Sequence, residues 1–459
     1  MTEAANPPET LPAEFQDELV QVFCDLGVNG YISLLFDYPQ QFDAARLGLA
    51  VRRVLDAEPV LGCRFEAEEG GKARWRRRDD IDTVALCPVV VSANLEEDTA
   101  VLLAELYDPR YSPNVRAVLI RQREGAADRL LLQVSHAAAD GTASLDFAAA
   151  VAGMYTRLGQ DPDYRLPPNN ASRDSFLWLR SFSVRQRLRL LWEDLKDLPA
   201  ALAPKRGLVS SRAAFLADSE NQQPEFRLLR LDERRMAEID RYASESGATL
   251  NDICLAAFFR AFDEYCPGPA GTSLEVVMPT NLRRYAPLQR RPAICNMSGT
   301  THVRIGEAVG ASFEDTLAKV CRETRRHKRR MLGTEGQMLV RWLAWMPYAR
   351  KKDLLWKQLL RGLKNSVPPV LTQIGHTRGV RFACDGVAPV DLAVFGTPAP
   401  SPVFLTSLVR MDDRMCIGTC FDRRIGVHGV EAFLERMDRN LPGSPAATHV
   451  NPPIAEEMK

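Results

Sequence analysis

The chain has no excess of charge of either sign, because its 59 basic side chains balance 59 acidic ones. Bulk binding of nucleic acid needs an excess of positive charge, so we expect no nucleic-acid partner. No apolar run reaches the roughly 18 residues that a membrane-spanning helix requires. These absences predict a cytoplasmic protein and leave open a peripheral contact with a membrane.

Metal-ligand patterns are also missing from the sequence. The ten cysteines are scattered, and no Cys-x-x-Cys pair occurs. No grouping of histidines and carboxylates has the spacing of metal ligands, so we expect reduced thiols and no metal site. The segment before Arg46 contains neither Lys nor Arg, which is the opposite of a secretory signal peptide.

The length and the apolar content of the chain predict two lobes. A chain of 459 residues with 46% hydrophobic side chains has more apolar material than one core usually holds. Strands alternate with helices in both halves, which predicts a mixed α/β (α+β) fold. The expected divisions are a disordered segment at 1–13, an N-terminal lobe at 14–165, a basic amphipathic crossover segment at 166–224, a C-terminal lobe at 225–445 and a flexible tail at 446–459.

One short motif carries most of the chemical information. Residues 135–141 read Ser-His-Ala-Ala-Ala-Asp-Gly, between an apolar run at Leu130–Val134 that predicts a strand and a helical pattern at Thr142–Leu158. This places His136 at a strand end, where an imidazole can take and return a proton near neutral pH. A purely structural histidine is the alternative, and the motif alone does not decide between them.

The motif resembles the His-His-x-x-x-Asp-Gly signature of the chloramphenicol acetyltransferase-like superfamily. That group includes condensation domains of peptide synthetases, alcohol acetyltransferases, polyketide-associated acyltransferases and wax ester synthases. Further segments resemble the superfamily in order and spacing, so that the resemblance covers most of the chain. These segments are 249–257, 276–283, 295–299 and 372–375. The resemblance implies two lobes, each a mixed sheet with flanking helices, arranged in a V around a central tunnel that the histidine turn faces.

The resemblance also implies a reaction. An acyl group would pass directly from a thioester, acyl-CoA or acyl-phosphopantetheine, to an alcohol, with His136 as the general base and without a permanently bound cofactor. Asp140 would pair with an arginine that holds the turn, and we predict Arg283 as that arginine. We expect Gly141 to serve a tight backbone turn and to let substrate approach.

Five further residues are candidates for contact with substrate or with an oxyanion. Ser135 stands where many members of the superfamily have the first histidine, and its hydroxyl can donate a hydrogen bond. Asn251 and Asp252 either shape the site or simply cap a helix. Asn296 and Gln373 are candidate oxyanion or positioning donors.

Two basic, tryptophan-containing regions allow two interpretations. One lies at 171–206, and the other runs from the charge cluster at Arg322–Arg330 through a tryptophan-rich stretch to Lys357. Such regions are usually solvated helix faces. Alternatively, they bind the phosphates of coenzyme A, a carrier protein or an anionic lipid surface.

Three functions remain open at this point. The first is an acyltransferase that forms an ester from acyl-CoA and an alcohol, which the Asn-Asp pair at 251–252 favours over amide formation. The second is a stand-alone condensation domain that forms an amide or ester from groups bound to a separate acyl or peptidyl carrier protein. The third is a non-catalytic relative that binds ligand in its groove, which Ser135 favours and the intact His136, Asp140, Gly141 and Arg283 oppose. Two lobes in one chain suffice for a tunnel, so we expect a monomer.

Overall fold

The computed structural model describes residues 6–443, apart from 69–70, 107–110, 124, 204, 209–214, 216–217, 219, 269–270, 288–290 and 363–365. The predicted flexible tail at 446–459 and the first five residues of the predicted disordered segment lie outside the described residues. No helix within the described part of the chain combines the length and the apolar character needed to cross a bilayer.

The first half of the chain forms one layered α/β lobe. Its helices are α1 (Phe15–Asp25), α2 (Ala44–Ala57), α3 (Leu95–Ala104) and α4 (Gly141–Gln160). Its strands are β1 (Thr10–Pro12), β2 (Tyr31–Tyr38), β3 (Cys63–Glu66), β4 (Arg74–Arg77), β5 (Val89–Ser92), β6 (Val115–Gln122) and β7 (Asp128–Ser135). A 3₁₀ turn spans Pro59–Gly62.

The connecting segment contains a 3₁₀ turn at Leu177–Ser181, helix α5 (Val184–Leu202) and the two-residue strand β8 (Lys205–Arg206). Helix α5 begins with a capping box, in which the Ser183 hydroxyl accepts from the Gln186 amide and the Gln186 side chain bonds back to Ser183. The crossover segment predicted at 166–224 therefore includes one long helix on the outside of the molecule.

The second half of the chain builds the other lobe. Its helices are α6 (Glu233–Ser246), α7 (Leu250–Tyr265), α8 (Phe313–Arg329), α9 (Gln337–Val340), α10 (Tyr348–Gly362) and α11 (Val427–Asn440). Its strands are β9 (Pro224–Leu231), β10 (Ser273–Asn281), β11 (Ser298–Gly306), β12 (Val370–Thr377), β13 (Asp391–Phe395), β14 (Leu405–Met411) and β15 (Arg414–Asp422). Short 3₁₀ turns lie at Leu282–Tyr285, Arg341–Trp345, Gly379–Phe382 and Arg423–Ile425.

Two large sheets form the centres of the lobes. The first has the order β13-β2-β7-β6-β5, and the second has the order β11-β10-β12-β14-β15-β9, with β8 added beside β10. Strands β1, β4 and β3 form a small third sheet. Each large sheet packs against a large cluster of buried apolar side chains, and the cluster of the first sheet also includes side chains of β9, β14 and β15.

Two boundaries differ from the sequence-based expectation. Strand β13 lies within the predicted C-terminal lobe, yet it pairs antiparallel with β2 at the edge of the first sheet. It also packs against β14 and β15, and the hydroxyl of Ser407 donates to the carbonyl of Val394. Near the N-terminus, Thr10–Pro12 pairs with Arg74–Arg76 rather than being disordered, because β4 offers an unpaired edge to it.

Candidate active site

The histidine turn is placed by the central strand of the first sheet. Strand β7 pairs with β2 on one side and with β6 on the other, and it ends at Ser135. The amide of His136 then donates to the carbonyl of Gly30 at 2.6 Å, which fixes the exit of the chain from the sheet. Helix α4 starts five residues later, where the Asp140 carboxylate caps it by accepting from the Ala143 amide at 3.0 Å.

The imidazole of His136 has a defined tautomer. Its Nδ1 lies 3.1 Å from the carbonyl oxygen of Ala139. A carbonyl oxygen can only accept, so Nδ1 carries a proton, and in the neutral imidazole the lone pair is then on Nε2. The side chain is partly exposed and lines a cavity of about 400 Å³. The imidazole is therefore held at the cavity wall by its own turn.

The cavity lies between the two lobes and draws its polar lining from both. The first lobe contributes His136, Gly141 and Thr142, and the second contributes Asn251, Asn281 and Gln373. The amide of Asn281, at the end of β10, donates to the hydroxyl of Thr142 at 3.2 Å and so joins the lobes at the cavity wall. Neither residue of this bond is among the site residues predicted from the sequence, although Asn281 belongs to one of the matching motifs.

The predicted pairing of Asp140 with Arg283 is present. Nη1 of Arg283 donates to Oδ2 of Asp140 at 2.7 Å, and Nη2 donates to the carbonyl of Cys295 at 2.7 Å. The Met297 amide adds a second bond to the same carboxylate oxygen, at 2.8 Å. Burial raises the pKa of Asp140, but the Arg283 guanidinium and these hydrogen bonds outweigh it and hold that pKa below its usual range. Asp140 therefore supports the turn as a buried carboxylate.

Asn296 also lies behind the turn, which corrects its expected role as an oxyanion donor. Its amide nitrogen donates to the carbonyls of His136 and Ala137, both at 2.8 Å, and the side chain is not part of the cavity lining. Its hydrogens are therefore committed to the backbone of the turn. The buried pair of Asp17 and Arg173, 3.0 Å apart, extends this support, and Asn296 also lies 3.3 Å from Asp17.

Ser135 and Gly141 also differ from expectation. Ser135 is fully buried beneath the turn and does not line the cavity, so it is not placed to contact substrate. Gly141 has no left-handed backbone conformation that would require glycine. A Cβ added at Gly141 would lie 3.6 Å from the side chain of Ile374, which is ordinary contact distance. What Gly141 provides is open space in the cavity wall rather than a tight turn.

The Asn251–Asp252 pair divides between the two interpretations. Asn251 lines the cavity, and its Oδ1 is buried without a hydrogen-bond partner among the described residues. Asp252 instead accepts from the amide of Thr249 at 3.0 Å and from the hydroxyl of Thr324 at 2.7 Å. Asp252 thus caps α7 and ties it to α8, while Asn251 is available to substrate.

Gln373 lies on a distorted part of the strand that faces His136. The pairing of β12 with β14 shifts register between Gln373 and Gly375, and Gly375 has φ of 105°. A bulge of this kind redirects side chains, and the positive φ favours glycine. Gln373 lines the cavity, so it stays a candidate donor.

The basic cluster at Arg322–Arg330 serves more than one purpose. Lys328 is exposed and lines the cavity together with Arg284, which is also exposed. Arg330 points to the outside helix α5, where it pairs with Glu193 at 3.2 Å and with Asp197 at 2.8 Å. Sequence reasoning identified the cluster but not Arg284 as its companion at the cavity.

No group of three or more His, Cys, Asp or Glu side chains within the described ranges is arranged to hold a metal ion. The Cys416 and Cys420 thiols lie in β15, and burial raises both pKa values above that of an ordinary thiol. Neither thiol lines the cavity, whose titratable lining residues are His136, Asp140, Arg284 and Lys328.

Comparison with solved structures defines the fold. The first condensation domain of the CDA synthetase superposes with a TM-score of 0.65 at 17% identity, covering 96% of this chain and 98% of that domain. Trichothecene 15-O-acetyltransferase from Fusarium sporotrichioides gives 0.68 at 10% identity, with 94% and 95% covered. Polyketide synthase associated protein 5 from Mycobacterium tuberculosis gives 0.62 at 16% identity, with 93% and 96% covered.

The chain therefore has the two-lobed chloramphenicol acetyltransferase-like fold that its motifs predict. No protein-family model matches the sequence, and a search of curated proteins gives no match either. One fold can host several chemistries, so the reaction has to be argued from the cavity.

Proposed function

We propose that the protein is an acyltransferase that moves an acyl group from an acyl-CoA thioester to an alcohol and so forms an ester. The observation that carries this proposal is the His136 imidazole, which lines a cavity between two lobes with Nδ1 bonded to the Ala139 carbonyl, so that Nε2 carries the lone pair in the neutral ring. The fold is shared with proteins whose names describe condensation and acetyl transfer, which supports acyl transfer as the class of reaction.

The proposed step needs one base and no covalent enzyme intermediate. Nε2 of His136 takes the proton of the alcohol as its oxygen attacks the thioester carbonyl carbon. The tetrahedral intermediate then collapses, the C–S bond breaks, and the imidazolium returns the proton to the departing thiolate. The products are the ester and free CoA thiol. A positioned base contributes about 10²–10⁴-fold, and holding both substrates in one cavity contributes much of the rest.

The intermediate carries a negative oxygen that needs a donor. Gln373 and Asn251 line the same cavity as His136, and both side chains have amide N–H groups. We assign them as candidate donors to this oxygen or to the acceptor alcohol. The rear-facing Asn296 and the buried Ser135 are not candidates, because neither lines the cavity.

The cations that line the cavity fit an anionic donor. Arg284 and Lys328 are exposed side chains on two different elements of the second lobe, and both reach the cavity that contains His136. Coenzyme A carries phosphates at the far end of its pantetheine arm, and exposed Arg and Lys side chains bind phosphate. We therefore expect the donor thioester to enter past these two side chains.

Release of free thiol tests the proposal directly. Wild-type protein and His136→Ala are offered acetyl-, octanoyl- and palmitoyl-CoA with a panel of alcohols and amines. Alcohol-dependent release that disappears in the variant supports ester formation and identifies the donor. Amine-dependent release would replace the ester with an amide.

The alternative reaction draws on the same fold. Condensation domains of comparable length superpose on nearly the whole chain, which favours a carrier-bound donor as the second candidate. If no CoA ester is consumed, a carrier protein loaded with an acyl-phosphopantetheine is the next donor to offer. If neither donor is consumed, the groove-binding, non-catalytic interpretation replaces both.

A further inference from the structure

Helix α5 exposes a stripe of large apolar side chains to solvent. Val184 is 70% exposed, Leu188 is 61% exposed and Trp192 is 68% exposed, and the stripe continues through Leu195 and Leu198. Their spacing of three or four residues places all five on one side of the helix. The opposite side carries the buried Leu190 and Asp194, so the helix is amphipathic with an apolar side turned outward.

A second segment, close to α5 in the fold, exposes two further tryptophans. The 3₁₀ turn Arg341–Trp345 exposes Trp342 by 73% and Trp345 by 78%. It directly follows helix α9, which packs against α5. The Asp194 carboxylate fastens the two segments by accepting from the amides of Gly336 at 2.8 Å and Met338 at 3.0 Å. We call Val184, Leu188, Trp192, Trp342 and Trp345 the apolar face.

The acidic and basic side chains of α5 differ in how far they are exposed. Glu193 and Asp197 of α5 bind Arg330 and are partly buried, and Asp194 is turned inward. The exposed charged side chains of the helix are basic, namely Arg185, Arg189 and Lys196. Only Arg189 is held by an acid of the helix, through a bond to Glu193 at 2.9 Å.

The exposed basic side chains of α5 form what we call the basic rim of the apolar face. This combination fits an anionic lipid surface better than a second copy of the chain. Two copies meeting through this face would bring their basic rims together, and like charges oppose such pairing. Tryptophan prefers the headgroup level of a bilayer, and exposed Lys and Arg are attracted to anionic headgroups. An amphipathic helix with this division of side chains lies in the plane of the membrane surface.

We propose that α5 and the Arg341–Trp345 turn together dock the protein on an anionic lipid surface. The position of the face is consistent with delivery of apolar substrate. Lys328 and Leu332 line the cavity, and Arg330 between them holds α5 through Glu193 and Asp197. Docking would therefore bring the cavity close to the lipid. This inference goes beyond the proposed reaction and does not require it.

Vesicle sedimentation with the full chain tests the inference. The probes are phosphatidylcholine vesicles with and without about a quarter of phosphatidylglycerol, at low and high salt. We expect binding to the anionic vesicles, with an accompanying blue shift of tryptophan fluorescence. The double variant Trp342→Ser/Trp345→Ser should weaken that binding about tenfold or more, because both side chains lose their apolar contact. Arg185→Glu/Lys196→Glu should weaken it to a similar extent and remove its salt dependence.

The matched control is Val380→Ser. Val380 is as exposed as Trp342, at 73%, but it lies in the separate Gly379–Phe382 turn against α4. This variant should bind vesicles as the wild type does. Failure of the wild-type protein to bind anionic vesicles would overturn the inference. So would undiminished binding by the tryptophan variant, or a dimer in analytical ultracentrifugation that the same variant dissociates.

Discussion

The turn that carries His136 has two faces that are bonded very differently. The rear face has many hydrogen bonds, since Asp140, Arg283 and Asn296 each make several bonds to the backbone or to one another, and within the described structure Oδ1 of Asn296 has no partner. The front face holds His136 and Asn251, and Asn251 has an amide oxygen without a partner in the described structure. The hydrogen bonds of the rear residues hold the turn in place, whereas His136 and Asn251 line the cavity.

This division teaches that position in the motif does not indicate function. Asp140 and His136 belong to the same seven-residue motif and both border the cavity, yet Asp140 is buried in an ion pair with Arg283 and His136 is partly exposed. The same contrast separates the neighbours Asn251 and Asp252. Substitutions should therefore separate into those that remove activity from a stable protein and those that remove stability.

The largest effect is expected for His136→Ala, measured as turnover beside thermal unfolding. Loss of the base should lower turnover by about 10²–10⁴-fold. The single bond from Nδ1 to the Ala139 carbonyl contributes little to folding, so stability should fall by only about 1 kcal/mol. A large drop in unfolding temperature would instead show that His136 supports the fold, as Asp140 and Arg283 do.

The next effect is expected for Arg283→Met, measured by denaturant unfolding. Removing the guanidinium leaves the Asp140 carboxylate buried and uncompensated, which costs about 3–5 kcal/mol. The adjacent Arg284→Met is the matched control, because Arg284 is exposed and its loss should change stability by less than about 0.5 kcal/mol. Equal stability of the two variants would contradict the supporting role of Arg283.

A third prediction concerns Arg284 and Lys328, the two exposed cations that line the cavity. The double variant Arg284→Glu/Lys328→Glu should raise the KM for acyl-CoA about tenfold or more, because like charges then face the donor phosphates. The KM for the same acyl group on N-acetylcysteamine, which lacks phosphate, should stay unchanged. A rise for both donors would show that the substitutions disturb the cavity itself.

A smaller effect separates Asn251 from Asp252. Asp252→Ala removes the bonds to Thr249 and Thr324 and should destabilise the protein by about 1–2 kcal/mol, with turnover per folded molecule retained. Asn251→Ala should do the reverse, with a changed KM or turnover at unchanged stability. Kinetic and unfolding measurements on both variants distinguish the structural role of Asp252 from the cavity role of Asn251.

The smallest effect is the contribution of Glu14 to the pH dependence of stability. Burial, together with the Asp17 and Asp174 carboxylates, raises the pKa of Glu14 to about 7. The folded protein then binds this proton more tightly than the unfolded chain, so stability falls as the pH rises from about 4.5 towards 7. Glu14→Gln should remove about 1 kcal/mol of that decline, since the group is half-buried. Parallel stability profiles of wild type and variant would contradict this.

The sequence predicts the local structure around the site well. The apolar run at Leu130–Val134 lies within β7, and the helical pattern at Thr142–Leu158 lies within α4. The pairing of Asp140 with Arg283 also follows from the resemblance, although the two residues are far apart in the chain. Such features depend on short-range periodicity or on a motif that many chains share.

Features that depend on how distant segments meet could not be predicted. Nothing in the residues near Asn296 indicates that its amide faces the turn rather than the cavity. The bond between Asn281 and Thr142 requires the two lobes to be placed first. In the same way, an exposed stripe on α5 has the periodicity of a buried one, and only the packing of α9 distinguishes its two sides.

Strand β13 has a consequence for synthesis and for dissection of the chain. The first sheet is not complete until residue 395 has left the ribosome, because β13 supplies the edge strand beside β2. Until then, the apolar strand Tyr31–Tyr38 offers an unpaired edge to any neighbouring chain. We therefore expect a nascent or truncated N-terminal half to be prone to aggregate when it lacks β13.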